Sequence, residues 1–267
     1  MARTVLITGA SSGIGAATAS RLAAHGYRVF GTSRRPDASR LDRAVEWIAM
    51  DVCDDASVAQ GVDAVVAAAG SLDAVVCNAG FGIFGSVEEV SLDDAHAQLE
   101  TNFFGVLRVV KAVLPDMRRA RAGRILLVGS LAGRAPIPFQ THYSASKAAV
   151  DALALGLHNE VRSFGIHVSL VEPGDIDTPF NDAMRWDTSP SGSPYGAAIE
   201  RCEKVIRETL PKSPPPEVVA RCIARALSAR RPRARYTVGA SSVVVPLGRR
   251  LLPDRLALAG IRQHFGL

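Results

Sequence analysis

The sequence predicts an α/β fold, a single-domain, doubly wound, mostly parallel sheet of about seven strands with helices on both faces. Three observations carry this. Short β-branched runs alternate with longer alanine-rich stretches of helical character along most of the chain. A glycine-rich turn follows the first of those runs directly and opens a helix. The 267 residues, 48% of them hydrophobic, can bury a substantial core and still lie within what one such domain occupies.

Taken in order, Thr4 to Thr8 is the first strand, β-branched at every position but Leu6, and Gly13 to His25 the first helix. Arg28 to Thr32 is the second strand, followed by a short helix at Ser39 to Ala44 and a third strand at Trp47 to Met50. A helix at Ala56 to Ala68 precedes the Val75-Val76 strand, Ala74 to Cys77. Leu92 to Arg119 reads as one long helix with a bend, Arg124 to Val128 as the fifth strand, and Tyr143 to Phe164 as helix. His167 to Val171 and, late, Tyr236 to Val238 complete the strands. The rhythm breaks between Asp175 and Pro216, where prolines, glycines and serines surround Met184, Trp186 and Tyr195 before a helical stretch ending near Leu210. The expected organisation is thus one domain over residues 1–267, with a lid or substrate-loop insertion at 175–216 and a C-terminal extension at 239–267. The sequence contains no internal repeat and no low-complexity tract.

A formal charge of +5 raises the question of a nucleic-acid partner, but the arginines are scattered among acids, and a polyanionic cofactor is enough to explain a basic site. No nucleic-acid partner is expected. Cys53, Cys77, Cys202 and Cys222 form no CxxC pair and no His/Cys cluster at ligand spacing, so neither a metal site nor a disulfide framework is expected. The apolar run near the N-terminus is too short for a signal peptide, and no stretch reads as an integral membrane segment. These features place the chain in the cytoplasm.

The first chemical signal is Thr8-Gly9-Ala10-Ser11-Ser12-Gly13-Ile14-Gly15. Glycine lets the backbone bend sharply and approach a pyrophosphate, while free N–H groups and the positive helix end stabilise the anion. Gly9, Ser11, Ser12, Gly13, Ile14 and Gly15 are therefore candidate cofactor contacts. A plain βα turn would use glycines too, so the motif needs company.

Company comes from Tyr143-Ser144-Ala145-Ser146-Lys147. A tyrosine and a lysine four apart on a helix share one face. A phenol of reference pKa ~10 is a poor acid or base at neutral pH, but a neighbouring ammonium stabilises phenolate and suits it to proton transfer. One such pair also fits an ordinary amphipathic helix. Ser130 decides between these, because it ends the fifth strand at the carboxyl edge where α/β sheets place ligands, and its hydroxyl can orient a substrate oxygen there. Asp151 is expected to form an i,i+4 surface pair with Lys147, and His142 and His158 to serve packing or surface roles.

The glycine spacing GxxxGxG, with Ser130, Tyr143 and Lys147 in this order, closely resembles the short-chain dehydrogenase/reductase family, and the resemblance covers nearly all of the chain up to Thr178. Cys77-Asn78-Ala79-Gly80 is similar to the family's NAG segment, with cysteine replacing a commoner asparagine at its start, and Asn102 is similar to its helix asparagine. The resemblance implies a Rossmann fold, Tyr143 as proton donor or acceptor, Lys147 as ribose ligand and depressor of the tyrosine pKa, Ser130 as holder of the substrate oxygen, and Asn102 in a water-linked proton relay. It further implies cofactor contacts at Asp51 and Val52 beside the adenine, at Asn78, Ala79 and Gly80, and at Pro173, Gly174, Ile176 and Thr178 beside the nicotinamide. Assembly as a homodimer or homotetramer is implied as well.

Cofactor choice is read from Phe30-Gly31-Thr32-Ser33-Arg34-Arg35-Pro36 at the end of the second strand. An NAD enzyme usually places Asp or Glu here to accept from the ribose 2′-OH, whereas Ser33 is followed by two guanidinium groups whose planar forks suit a 2′-phosphate. NADP(H) is therefore expected, with Ser33, Arg34 and Arg35 around the phosphate and Asp37 beyond reach.

The expected activity is hydride transfer between NADP(H) and an alcohol or carbonyl carbon. A 3-oxoacyl-thioester reductase is the alternative within enzymes, and a non-catalytic NADP-binding regulator the alternative outside them. Phe81, Ile83, Phe84, Ile137, Phe139, Met184, Trp186 and Tyr195 are expected to line an apolar pocket for a small-molecule substrate that is bulky and hydrophobic. Beyond Val238 the chain runs on through Val243-Val244-Val245-Pro246 to Phe265-Gly266-Leu267, an end resembling hydroxysteroid and retinol dehydrogenase-like members. That end covers the pocket, mediates association or touches membrane, or simply packs on the domain.

Overall fold

The computed structural model describes residues 2–36, 42–180, 184–186, 191–239 and 242–267. Its centre is a seven-stranded sheet in which every bonded pair is parallel. The strands are β1 (Thr4–Ile7), β2 (Arg28–Ser33), β3 (Glu46–Ala49), β4 (Ala74–Cys77), β5 (Gly123–Val128), β6 (Ile166–Pro173) and β7 (Arg235–Val238). Their spatial order is β3-β2-β1-β4-β5-β6-β7, so the chain winds outward one way from β1 and the other way from β4. Connections leaving β1 and β4 in opposite directions open a crevice at their carboxyl ends.

Period-two alternation explains the layering. Leu6, Val75 and Leu127 face one layer, where they meet Val62 and Val65 of α2 (Asp55–Ala69), Val110 and Val113 of α4 (Gly105–Ala120) and Leu157 of α5 (Thr141–Glu160). Val5, Ile7, Val76 and Leu126 face the other, against Leu22 of α1 (Gly13–Ala24) and Ile223 and Leu227 of α7 (Glu217–Ser228). The central strands β1 and β4 are buried throughout, as a sheet covered on both faces requires.

Helix starts differ in a way that bears on the site. The Asp54 carboxylate caps α2 by accepting from the Ser57 N–H at 2.6 Å, and Ser91 caps α3 (Leu92–Leu99) by accepting from Asp94 N–H. By contrast α1 has neither a side-chain cap nor an acid in its first turn.

Three local expectations change. Half of the helix expected at Ser39 to Ala44 lies outside the described residues, and residues 42–44 of it are not helical. The long helix from Leu92 is interrupted by a π-helical turn, Glu100–Phe104, whose wider ring carries Asn102 inward. The sequence reading also left out α7 and the two C-terminal helices, α8 (Val244–Leu251) and α9 (Asp254–Phe265). Within the lid segment, α6 spans Gly196–Thr209, and Arg185 pairs with Ile83 in a short parallel bridge. Among the described residues no helix is long and apolar enough to cross a membrane.

Candidate active site

A cleft of about 1090 Å³ runs along the carboxyl edge of the sheet. Its wall brings together Gly9, Ser11, Ser12, Gly13 and Ile14 after β1, Ser33 and Arg34 at the end of β2, and Asp51 and Val52 after β3. Asn78, Ala79 and Gly80 follow from β4, Ser130, Tyr143 and Lys147 from β5 and α5, and Pro173, Gly174, Ile176 and Thr178 from β6. Gly15, Arg35 and Asn102 do not reach the wall.

Each exception has a physical reason. A Cβ on Gly15 would stand 2.1 Å from the Gly9 carbonyl oxygen and 2.6 Å from Asn78 Nδ2, so this glycine serves close packing behind the turn. Arg35 is exposed and bonds back through its N–H to Ser33 Oγ at 3.3 Å. Asn102 is fully buried, donating from Nδ2 to the Phe81 carbonyl and to Ser146 Oγ, both at 3.0 Å, while its Oδ1 accepts from the Phe81 N–H. Its amide ties the strand-end segment after β4 to α5 behind the cleft wall.

The turn after β1 is held by a residue the sequence did not single out. Thr8 Oγ1 accepts from the N–H groups of Asn78 and Ala79 at 3.0 and 3.1 Å, and Asn78 Nδ2 returns hydrogen bonds to the carbonyls of Thr8 and Gly9. Gly9 and Gly13 adopt φ of 63° and 52°, and a Cβ on Gly9 would approach Ala79 Cα to 2.9 Å. The uncapped N-terminus of α1 then faces the cleft with free donors and no competing acid, a fit for a pyrophosphate. At the β2 end Arg34 is exposed on the cleft wall, where a phosphate could meet it. Asp37 lies outside the described residues.

Tyr143 and Lys147 share one face of α5, whose start packs against the 3-10 turn Leu131–Gly133 that follows Ser130. Ser130 Oγ accepts from the Ala132 N–H at 3.1 Å. Burial pushes the Tyr143 phenol up to about 12, opposed by a hydrogen bond with Ser130 and reinforced by the Asp175 carboxylate. Burial pushes Lys147 down to about 8. This corrects the expectation that the ammonium depresses the phenol's pKa in the protein alone, because Lys147 Nζ donates to the Val128 carbonyl at 3.0 Å and sits 5.8 Å from the Tyr143 ring centre. Desolvation is the largest cause of the phenol's upward shift.

Asp151 does not pair with Lys147. It accepts from Arg235 Nη2 at 2.6 Å, and Arg235 also reaches Glu172, which receives both prongs of Arg134 at 2.7 Å. Glu172 is buried between these two arginines, so the network clamps β6, β7 and the loop after Ser130 together. His158 bonds through Nδ1 to the Val168 carbonyl at 2.9 Å, a packing role, and burial lowers the half-buried His142.

The apolar end of the cleft is built differently from expectation. Phe81, Ile137 and Met184 line it. Ile83, Phe84, Phe139, Trp186 and Tyr195 do not, because they pack the lid: Phe84 stands 4.9 Å from Trp186 and 6.1 Å from Phe139 between ring centres, and Arg207 covers the Trp186 ring at 4.5 Å. The Tyr195 hydroxyl donates to Glu88 at 2.6 Å instead of facing the cleft. Further wall comes from Phe180, from Val205 and Ile206 of α6, and from the C-terminal segment through Val244, Leu252, Ile261 and Phe265. Ser130, Tyr143 and Lys147 thus stand between a turn suited to phosphate and a largely apolar chamber.

Comparison with known proteins accords with this arrangement. The short chain dehydrogenase family matches residues 3–188. The chain is 36% identical over 265 residues to a 3-ketodihydrosphingosine reductase of Bacteroides thetaiotaomicron, covering 98% of each. It is 35% identical over 260 residues to 17-beta-hydroxysteroid dehydrogenase type 1 of Homo sapiens, covering 88% of this chain and 77% of the other. The structure of a short-chain dehydrogenase from Streptomyces avermitilis is 31% identical with a TM-score of 0.83, covering 98% of this chain and 97% of that one. An alcohol dehydrogenase of Thermococcus sibiricus complexed with 5-hydroxy-NADP is 27% identical, with a TM-score of 0.73 and coverage of 91% and 97%. A relative from Burkholderia phymatum in complex with NAD is 26% identical, with a TM-score of 0.79 and coverage of 97% and 95%.

Proposed function

The chain belongs to the short-chain dehydrogenase family of oxidoreductases, and on that footing we propose that it interconverts a bulky hydrophobic ketone and alcohol with NADP(H). The observation that carries this reading is the single cleft in which Ser130, Tyr143 and Lys147 stand between the glycine turn with Arg34 and the apolar wall of Phe81, Ile137 and Met184.

In this reading the turn from Gly9 to Ile14 and the N-terminus of α1 hold the pyrophosphate, Ser33 and Arg34 take the 2′-phosphate, and Asp51 and Val52 flank the adenine. Asn78, Ala79 and Gly80, with Pro173, Gly174, Ile176 and Thr178, border the nicotinamide half. NADP(H), when bound, supplies or accepts the hydride. Tyr143 gives or takes the proton at the substrate oxygen, Ser130 orients that oxygen by hydrogen bonding, and Lys147 binds ribose. Asn102 is a positioning residue, holding the Phe81 peptide against α5 and so setting the cleft width beside Tyr143. Two relatives are named for a ketone of a sphingoid base and for a hydroxysteroid, which supports a bulky apolar substrate.

Action in the cytoplasm as a homodimer or homotetramer belongs to the same reading, and the free thiols Cys53, Cys77, Cys202 and Cys222 suit a reducing compartment. The test is NADPH oxidation across apolar ketones, acyl thioesters and sugars. Preference for bulky apolar ketones is expected. Preference for small polar sugars, for acyl thioesters, or NADPH binding with no turnover of anything would each overturn the reading.

A further inference from the structure

The cleft accounts for only one side of the C-terminal helices. The α9 helix is fastened to α6: Arg201 Nε donates to the Gly266 carbonyl at 2.9 Å, Cys202 Sγ to the Phe265 carbonyl at 3.8 Å, and Phe265 packs on the lid cluster. Its inward side chains Ile261 and Phe265 look into the cleft. On the outside, Val244, Leu247 and Leu251 of α8 recur at the three- and four-residue spacing of a single helix face, and they are 71%, 52% and 67% exposed. Leu256 and Leu258 of α9 are exposed too. A lone exposed leucine needs no explanation, but a stripe of them does. Val244 and Leu252 belong to both surfaces: they line the cleft and yet are largely exposed, so the stripe runs continuously into its mouth.

The charges beside this stripe indicate what covers it. Residues 243–267 contain Arg249, Arg250, Arg255 and Arg262 against Asp254, a formal excess of three positive charges (four arginines less one aspartate). Arg250, Arg255 and Arg262 are exposed. Leucine and valine on one face with arginine at its flanks is the composition of a helix lying in the plane of an anionic membrane surface. Self-association through the same patch would instead set two such basic segments against each other about a two-fold axis. At 8 and 12 residues these helices lie on a bilayer and do not cross it.

We propose that α8 and α9 dock on the surface of an anionic lipid bilayer, with Val244 and Leu252 forming the rim through which an apolar substrate passes from lipid into the cleft. The passage of substrate rests on the oxidoreductase reading; the docking does not.

The purified chain is sedimented with vesicles of phosphatidylcholine alone and of phosphatidylcholine with phosphatidylglycerol. Binding to the anionic vesicles, weakened by salt, is expected. The double variant Leu247→Asp/Leu251→Asp, altered outside the cleft wall, should lower that binding at least about tenfold while circular dichroism and NADPH binding stay unchanged. With an apolar ketone presented in anionic vesicles its kcat/KM should fall by a similar factor, and with a water-soluble short ketone it should not. Docking is overturned if anionic vesicles are not bound, if the double variant binds them equally, or if the variant's only effect is to dissociate an oligomer. Delivery is overturned if both ketones suffer alike. Vesicle binding is read without turnover, so a chain that docks but reduces no ketone upholds the docking and sinks the hydride-transfer reading.

Discussion

Lys147 Nζ lies 5.8 Å from the centre of the Tyr143 ring, one helical turn away, and spends a hydrogen bond on the Val128 carbonyl. The pair is therefore preorganised but not directly bonded. In the protein alone the phenol is held neutral by burial and the ammonium is weakened by it.

A titration follows from this. Tyrosinate absorbance that disappears in Tyr143→Phe should titrate near 12 in the ligand-free protein, above the ordinary tyrosine value of about 10. The folded value exceeds the unfolded one, so the neutral phenol contributes stability that is present below pH 10 and is lost as pH rises toward 12. A difference spectrum titrating at or below the ordinary tyrosine value would contradict the buried, Ser130-bonded phenol.

Glu172 tests the clamp beneath the site. The carboxylate is 1% exposed and joins Arg134, which leads into the cleft residues Ala135 to Ile137, to Arg235 of β7. Glu172→Gln removes the carboxylate shared by Arg134 and Arg235, leaving Asp151 to serve the network only through Arg235, and should cost about 3 kcal/mol in denaturant unfolding. Stability within about 0.5 kcal/mol of the unaltered protein would place this network among ion pairs of no consequence.

Cofactor choice turns on Arg34. The charge-assisted contacts to a 2′-phosphate should contribute about 1.5 to 3 kcal/mol, giving at least about a tenfold preference for NADPH over NADH. Arg34→Asp with Ser33 intact should weaken NADPH far more than NADH. Equal Kd values for the two in the unaltered protein would refute the assignment.

The sheet was legible because each strand announces itself: Val5 to Ile7, Val75-Val76 and Ile125 to Val128 are short apolar runs between turn residues, and all seven strands lie within two residues of where the runs place them. The members of the site were legible for a different reason, since Gly9 to Gly15, Ser130 and the Tyr143–Lys147 spacing are local patterns. What needed the tertiary structure was everything that depends on which side chain faces which neighbour. Trp186 and Tyr195 look like pocket residues in the sequence, but ring packing on Phe84 and a hydrogen bond to Glu88 claim them for the lid. Val244, Leu252 and Ile261 reach the cleft only because α9 is fastened to α6, far from them in the chain. Thr8 could have been singled out by its place between the first strand and Gly9; its two N–H partners, seventy residues on, could not.

The central claim is that the Tyr143 hydroxyl transfers the proton. The most direct measurement is single-turnover and steady-state NADPH oxidation by Tyr143→Phe on the best ketone of the panel, alongside NADPH binding by fluorescence. Removing the hydroxyl, and with it the transferable proton, should lower kcat at least about a hundredfold while the Kd for NADPH stays within about twofold. An ordinary kcat in Tyr143→Phe would contradict the account.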